Sequence, residues 1–238
     1  MLRWGLYSLR NLWARRVTTA LTVVGLGLVV FVLLAVLMLA HGLEQTLGKT
    51  GDPENVIILR KGALSEIGSS LSREEIRAVA AQPDVRLTAD GRPLAVAEVG
   101  LQLTLRKGQG GSLTSVTLRG TAPKALAVRP AILLIQGRLW KPGTTEIVVG
   151  ASIARQFPDA RVDRVLHFGN WAWTVVGVFE AGGSGFDSEV WGDAEQFLAT
   201  FHRATFSSMT LRLAHPATLP AFKERIGRDP RFKFSVKR

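Results

Sequence analysis

Twenty-four consecutive residues, Val17 to Ala40, carry no charge and are mostly aliphatic. As an α-helix rising 1.5 Å per residue they reach about 36 Å, enough to cross a hydrocarbon core of about 30 Å with some tilt. The segment therefore reads as a transmembrane helix. Arg3, Arg10, Arg15 and Arg16 precede it, and no Lys or Arg follows until Lys49, a bias that places the N-terminus in the cytoplasm. A cleaved signal peptide also begins basic and apolar. Its apolar region is shorter, roughly 7–15 residues, and the exit here, Leu37-Met38-Leu39-Ala40-His41-Gly42, has no A-x-A cleavage pattern.

Before the span, Leu2, Leu6, Leu9 and Trp13 recur at helical spacing, with Arg3, Arg10 and Arg16 elsewhere around the wheel. That is the pattern of a short amphipathic helix lying on the lipid headgroups. Within the span, Thr18, Thr19 and Thr22 can return their hydroxyls to carbonyls one turn back, while Gly25 and Gly27 give a smooth patch on which another helix could pack. The plan is a cytoplasmic tail over 1–16, a transmembrane helix over 17–40, and an extracytoplasmic part over 41–238 large enough for one large domain or two small ones.

The net charge of +11 raises the question of nucleic acid. Four of those charges sit beside the membrane segment, and the other 26 Lys and Arg and all 19 acidic residues are spread along the rest without a basic helix or an RNA-type aromatic motif. No nucleic-acid partner is expected. The chain has no Cys, which excludes disulfides, thiolate metal sites and a lipid-modified N-terminal Cys. His41, His167, His202 and His215 have no metal-ligand spacing, so no metal or other cofactor is expected.

After a loop at Gly48 to Pro53, Asn55 to Arg60 has the β-branched content of a buried strand. Ser72-Arg73-Glu74-Glu75 is a capping box opening a helix to Ala81, stopped by Pro83, with Ile76, Val79 and Ala80 inward. Strands are expected at Val85 to Ala89, Leu94 to Leu105 and Leu113 to Gly120, the last two joined by a hairpin at Gly108 to Gly111. Further strands follow at Ile132 to Ile135, Glu146 to Val149, Val165 to Phe168 and Trp171 to Phe179, with a short helix over Ala151 to Phe157. Asp193 caps a helix to about His202. The chain closes as strand Ser208 to Leu213, helix Thr218 to Ile226 and strand Phe232 to Val236. The fold class is α+β: the first β-α unit packs with the last β-α-β unit, and a strand-rich middle is inserted between them.

Three chemical motifs fail on inspection. Gly42-Leu43-Glu44-Gln45-Thr46-Leu47-Gly48-Lys49-Thr50 puts five residues between its glycines where a P-loop has four, and follows a membrane helix instead of a strand. Gly182-Gly183-Ser184-Gly185-Phe186 has Phe where the hydrolase elbow has its last Gly, and reads as a flexible loop. Asp187, Glu189 and Asp193 lack calcium-loop spacing and read as an exposed acidic loop. No residue is a candidate for catalysis.

Two stretches do form a recognisable set. Leu9-Arg10-Asn11-Leu12-Trp13-Ala14-Arg15-Arg16-Val17-Thr18-Thr19 leads into an apolar run reaching Gly25. The second set runs in order through Gln136-Gly137-Arg138-Leu139-Trp140, Glu146 to Ala154, Trp173 to Phe179 and Gly183 to Ser188. Together they resemble the MacB-like and FtsX-like permeases of ABC transporters. The resemblance implies a MacB-like periplasmic core domain, porter-like with a strand-rich insertion, behind the first of four helices in the bacterial inner membrane. The other three would follow the core, and this sequence ends at Arg238, where the core would be finishing. It further implies a non-catalytic permease subunit, here its N-terminal portion, working as a homodimer or with a related permease beside a separate ABC ATPase that binds the ATP. Relatives act on peptides, macrolides, lipoproteins or lipids, or transmit force to cell-wall enzymes. The rival readings are a single-pass anchored binding or scaffold protein and, more remotely, an anchored hydrolase using Ser184.

Overall fold

A computed structural model describes residues 16–48, 54–108, 111–229 and 232–237. The amphipathic tail with Arg3, Arg10 and Arg15, the loop residues 49–53 and the hairpin tip at Gln109 and Gly110 lie outside the described residues. The chain divides into two compact units at Gly48.

The first unit contains helix α1, Arg16–Gly48. Its apolar stretch, Arg16–Gly42, is long enough to cross a membrane, and the helix continues past Ala40 to Gly48. The Thr22 hydroxyl donates to the Thr18 carbonyl at 2.9 Å, the one-turn return that satisfies a polar group in an apolar setting. Gly42 and Gly48 are both helical, which removes the glycine loop that phosphate binding would need.

The second unit begins with β1 (Asn55–Arg60), whose Val56, Ile58 and Leu59 are all buried. Helix α2 (Arg73–Ala80) opens on the expected capping box: the Ser72 hydroxyl accepts the Glu75 N–H at 3.2 Å and the Glu75 carboxylate accepts the Ser72 N–H at 2.8 Å. Strands β2 (Ala95–Arg106) and β3 (Leu113–Thr121) form the predicted antiparallel hairpin. Then come the short helix α3 (Ala125–Val128), β4 (Leu133–Gly137), β5 (Glu146–Gly150), helix α4 (Ala151–Gln156), β6 (Val165–Phe168) and β7 (Trp171–Glu180). Strand β8 (Glu189–Asp193), helix α5 (Ala194–Thr200), β9 (Ser208–Arg212), helix α6 (Leu219–Arg228) and β10 (Phe234–Lys237) complete the chain.

These strands make one sheet in the order β10-β1-β9-β2-β3-β8-β5-β7-β4, with β6 paired to β7. As expected, the first strand sits between the last two. The middle is not a detached insertion, because β2 welds it to the rest: Ala95 to Glu98 pair with β9, and Val99 to Arg106 pair with β3. One strand of 12 residues therefore belongs to two lobes. The first lobe packs α2 and α6 on its strands around Met209, Leu211, Phe222 and Ile226. The second is filled on both faces: Ile147 and Val149 of β5 face the Trp173–Phe197 core, while Val148 faces Trp191 and Phe179. Burial on both faces explains why Glu146 to Gly150 reads as an unbroken apolar run instead of an alternating one.

Two expectations change. Val85 to Ala89 is not a strand; it makes only isolated bridges, Val85 to Leu213 and Leu87 to Pro93, where Asp90-Gly91 turns the chain too soon for a ladder. Conversely, Glu189 to Asp193 is a central strand, parallel to β3 and antiparallel to β5. Its acidic ends masked the apolar Val190 and Trp191 between them.

Gly150 and Gly177 are set by close backbone approach. A Cβ on Gly150 would lie 2.3 Å from the Asp187 carbonyl oxygen, and one on Gly177 would lie 2.4 Å from that of Arg138. Neither neighbour is a flexible side-chain end, so Gly177→Ala should destabilise the domain by roughly 1–3 kcal/mol. Ala substitution at Gly182, where a Cβ meets nothing within 4 Å but φ is +62°, should cost only the smaller strain of a left-handed residue, about 1 kcal/mol. Urea unfolding followed by Trp fluorescence checks the ranking.

Candidate functional site

The polar centre of the domain lies where β2 changes partner. Glu98 is the last residue of β2 paired to β9, opposite Ser208, and Val99 is the first paired to β3, opposite Gly120. The Glu98 side chain is wholly buried and accepts five hydrogen bonds. Arg129 forks onto both its oxygens at 2.8 and 2.6 Å, Thr210 of β9 donates at 2.9 Å, Thr121 of β3 at 3.1 Å, and Arg119 of β3 at 3.3 Å. Arg119 also forks onto Glu189 of β8 at 2.8 and 2.9 Å and reaches Glu66 at 2.7 Å. The Trp191 indole N–H donates to Glu189 at 2.7 Å. The Phe186 ring lies between the two guanidinium groups, 5.3 Å from Arg119 and 5.2 Å from Arg129.

A buried carboxylate without partners would be driven neutral. Here burial pushes the Glu98 carboxyl up, but Arg129 and then Arg119, with the hydrogen bonds from Arg129 and Thr210, bring it down to about 2. Arg119 is moved well above its ordinary value, because Glu189, Glu66 and Glu98 outweigh its own desolvation. Both groups are therefore charged at neutral pH. With donors and acceptors matched to one another, the cluster is a structural joint and not an acid-base centre.

The acidic residues expected in an exposed loop are buried and separately employed. Glu189 belongs to the joint. Asp187 accepts the N–H groups of Ala181 and Gly183, both at 2.7 Å, so Gly182 to Gly185 is a tied turn and not a flexible loop. Asp193 caps α5 by accepting the Glu195 and Gln196 N–H groups and takes the Gly143 N–H at 3.0 Å. The Ser184 hydroxyl is buried and has no hydrogen-bond partner among the described residues, none of which is placed to take its proton.

In α1, an added Cβ at Gly25 or Gly27 would meet nothing within 4 Å. An α-helix turns 100° per residue, so these glycines stand about 200° apart and cannot form one patch. Gly25 instead lines up with Thr18 and Thr22, at i, i+4 and i+7. Arg16 opens the helix, and Arg3, Arg10 and Arg15 lie outside the described residues.

Compared with known proteins, residues 19–229 match the sequence profile of the MacB-like periplasmic core domain. The chain belongs to this family. Among solved structures, the periplasmic region of MacB from Actinobacillus actinomycetemcomitans is similar, with a TM-score of 0.58 at 15% identity, over 77% of this chain and 88% of that one. So is the extracellular domain of the noncanonic ABC-type transporter YknZ from Gram-positive bacteria, with a TM-score of 0.57 at 14% identity, over 77% of this chain and 100% of that one. No curated protein matches significantly. The chain thus carries one apolar N-terminal helix and the periplasmic core domain of the ABC-type transporter permease family, a mixed α/β fold.

Sequence reasoning missed the joint of this MacB-like domain, though its signal was present. Glu98 and Arg119 are lone charges inside the apolar strand runs Ala95 to Gly100 and Val116 to Gly120. A lone charge there needs a buried partner of opposite sign.

Arg129→Leu strands Glu98 and should cost roughly 3–5 kcal/mol, whereas the Glu98→Leu/Arg129→Leu double variant should recover part of that loss. Denaturation of the two variants beside the parent measures the coupling. Because the folded-state pKa of Glu98 is depressed, its contribution is present above the ordinary carboxylate value and is lost as pH falls through about 2. Glu98→Gln should flatten the fall of stability between about pH 4.5 and 2.

Proposed function

We propose that this chain is the N-terminal portion of a permease subunit in a MacB-like ABC-type export or mechanotransmission system. Helix α1 is the first membrane helix, crossing the bacterial inner membrane with Arg3, Arg10, Arg15 and Arg16 on the cytoplasmic side, and residues 41–238 form the periplasmic part. The observation that carries this reading is that the family match starts at residue 19, inside the apolar helix, and runs on through the domain to residue 229, taking both as one unit.

The subunit itself is non-catalytic. A separate ABC ATPase hydrolyses ATP, and the subunit passes the resulting motion to its periplasmic domain. The continuous sheet and its charged joint suit that role, since a load applied to either lobe is shared across β2 by ladder hydrogen bonds and by buried ion pairs. The subunit acts as a homodimer or with a related permease, through a helix face of Thr18, Thr22 and Gly25.

Purification of the intact protein from native membranes should bring down an ABC ATPase. Its consistent absence would favour a single-pass anchored binding or scaffold protein instead. Gly25→Leu should reduce the dimer yield more than Val30→Leu, and equal yields by crosslinking would remove the helix face from the proposal.

A further inference from the structure

Between the two lobes, α2 of the first and α5 of the second flank a cavity of about 450 Å³, within the range of small-molecule sites. Its floor is apolar: half-buried Ile76 and Ala97 line it, with Phe206 and Met209, both almost fully buried, packed behind them. Ala97 and Ala194 leave space that larger side chains would fill. One end is strapped by Arg73 of α2, which forks onto Glu195 of α5 at 2.6 and 2.5 Å and lies 5.2 Å from the Phe206 ring.

The rim is cationic: Arg77, Arg92 and Lys124 line the same cavity. The two carboxylates beside them are already engaged, Glu195 by Arg73 and Asp193 by three backbone N–H groups. Among the described residues, Arg92 is paired only with exposed Asp90 at 3.1 Å, and Arg77 lies near Glu74 without a hydrogen bond to it. Lys124 has no ion pair among the described residues. Partial desolvation, and then the charge of Arg92, push its ammonium pKa down. A cation disfavoured in this way is stabilised by an incoming anion.

We propose that this cleft binds a single-chain amphiphile with a carboxylate head, its apolar chain on Ile76 and Ala97 in front of Met209 and its carboxylate between Lys124 and Arg92. The inference goes beyond the permease reading and needs no ATPase for its test.

The chain has three methionines, Met1, Met38 and Met209, of which Met209 lies behind the cleft floor and Met38 in the apolar helix. The full chain, labelled with methyl-¹³C methionine in phosphatidylcholine nanodiscs, is titrated with octanoate, octanol, octyltrimethylammonium and acetate. Octanoate should shift the Met209 methyl signal saturably, at least tenfold more tightly than the other three probes, with Met38 reporting partition into the bilayer. Lys124→Gln/Arg92→Gln should weaken octanoate binding at least tenfold and leave the octanol response unchanged. Ala97→Leu should abolish the Met209 response. An unliganded Met209 signal at its parental position shows that each rim variant is folded. The proposal is overturned if octanoate leaves Met209 unmoved, if octanol or octyltrimethylammonium moves it equally, or if the rim variant binds octanoate as the parent does.

Discussion

Glu98 and its two arginines join the strands at the point where β2 changes partner within the sheet. A strand that pairs left with its first four residues and right with its last eight has a seam at the change of partner, where neither ladder is complete. Buried ion pairs are often no more stabilising than apolar packing of the same volume, because desolvation offsets most of the Coulomb gain. What they add here is uniqueness. Arg129 and Arg119 join Glu98 to β3, β8 and β9, and a slip of register in β2, β3 or β8 would leave a charge buried without a partner.

The rest of the second lobe is arranged around that requirement. Phe186 and Trp191 cover the guanidinium groups, and Phe179 packs on Trp191 with ring centroids 4.8 Å apart. On the opposite face, Trp173 stacks on Phe168 and meets Phe197 edge-on at 4.8 Å, its indole N–H satisfied by the Phe168 carbonyl. Gly150 lets the turn before β8 lie directly against the end of β5, so that Asp187 ties that turn while Glu189 turns inward to Arg119. The resemblance read from Glu146 to Ala154 and Gly183 to Ser188 is thus a record of framework contacts, which is why it identifies a fold and not a ligand.

Most elements were legible because their signals are local. The capping box at Ser72, the cap at Asp193, the alternation of β2 and the β-branched run of β7 each depend on neighbours within a few residues. Strand β8 was not legible: its acidic ends, Glu189 and Asp193, are tolerated in the interior only because Arg119, 70 residues away, and the start of α5 neutralise them. The same blindness hid the joint and the cleft. No local pattern tells that Arg77, Arg92 and Lys124 share a rim, since they come from a helix, a turn and a loop brought together by the sheet.

By itself the sequence determined that Val17 to Ala40 is an uncharged apolar run long enough to cross a bilayer, a property of length and composition that needs no reference to any other residue. It also determined the α+β class and nearly every strand and helix, through periodicity and caps. Only the tertiary structure decided that the middle strands share one sheet with the ends, that the lone Glu98 is paired and charged at neutral pH, and that an apolar cleft with a basic rim lies between the lobes. Those facts depend on contacts between residues distant in sequence, and their energies exist only once the backbone has brought the partners within a few ångströms and excluded the water between them.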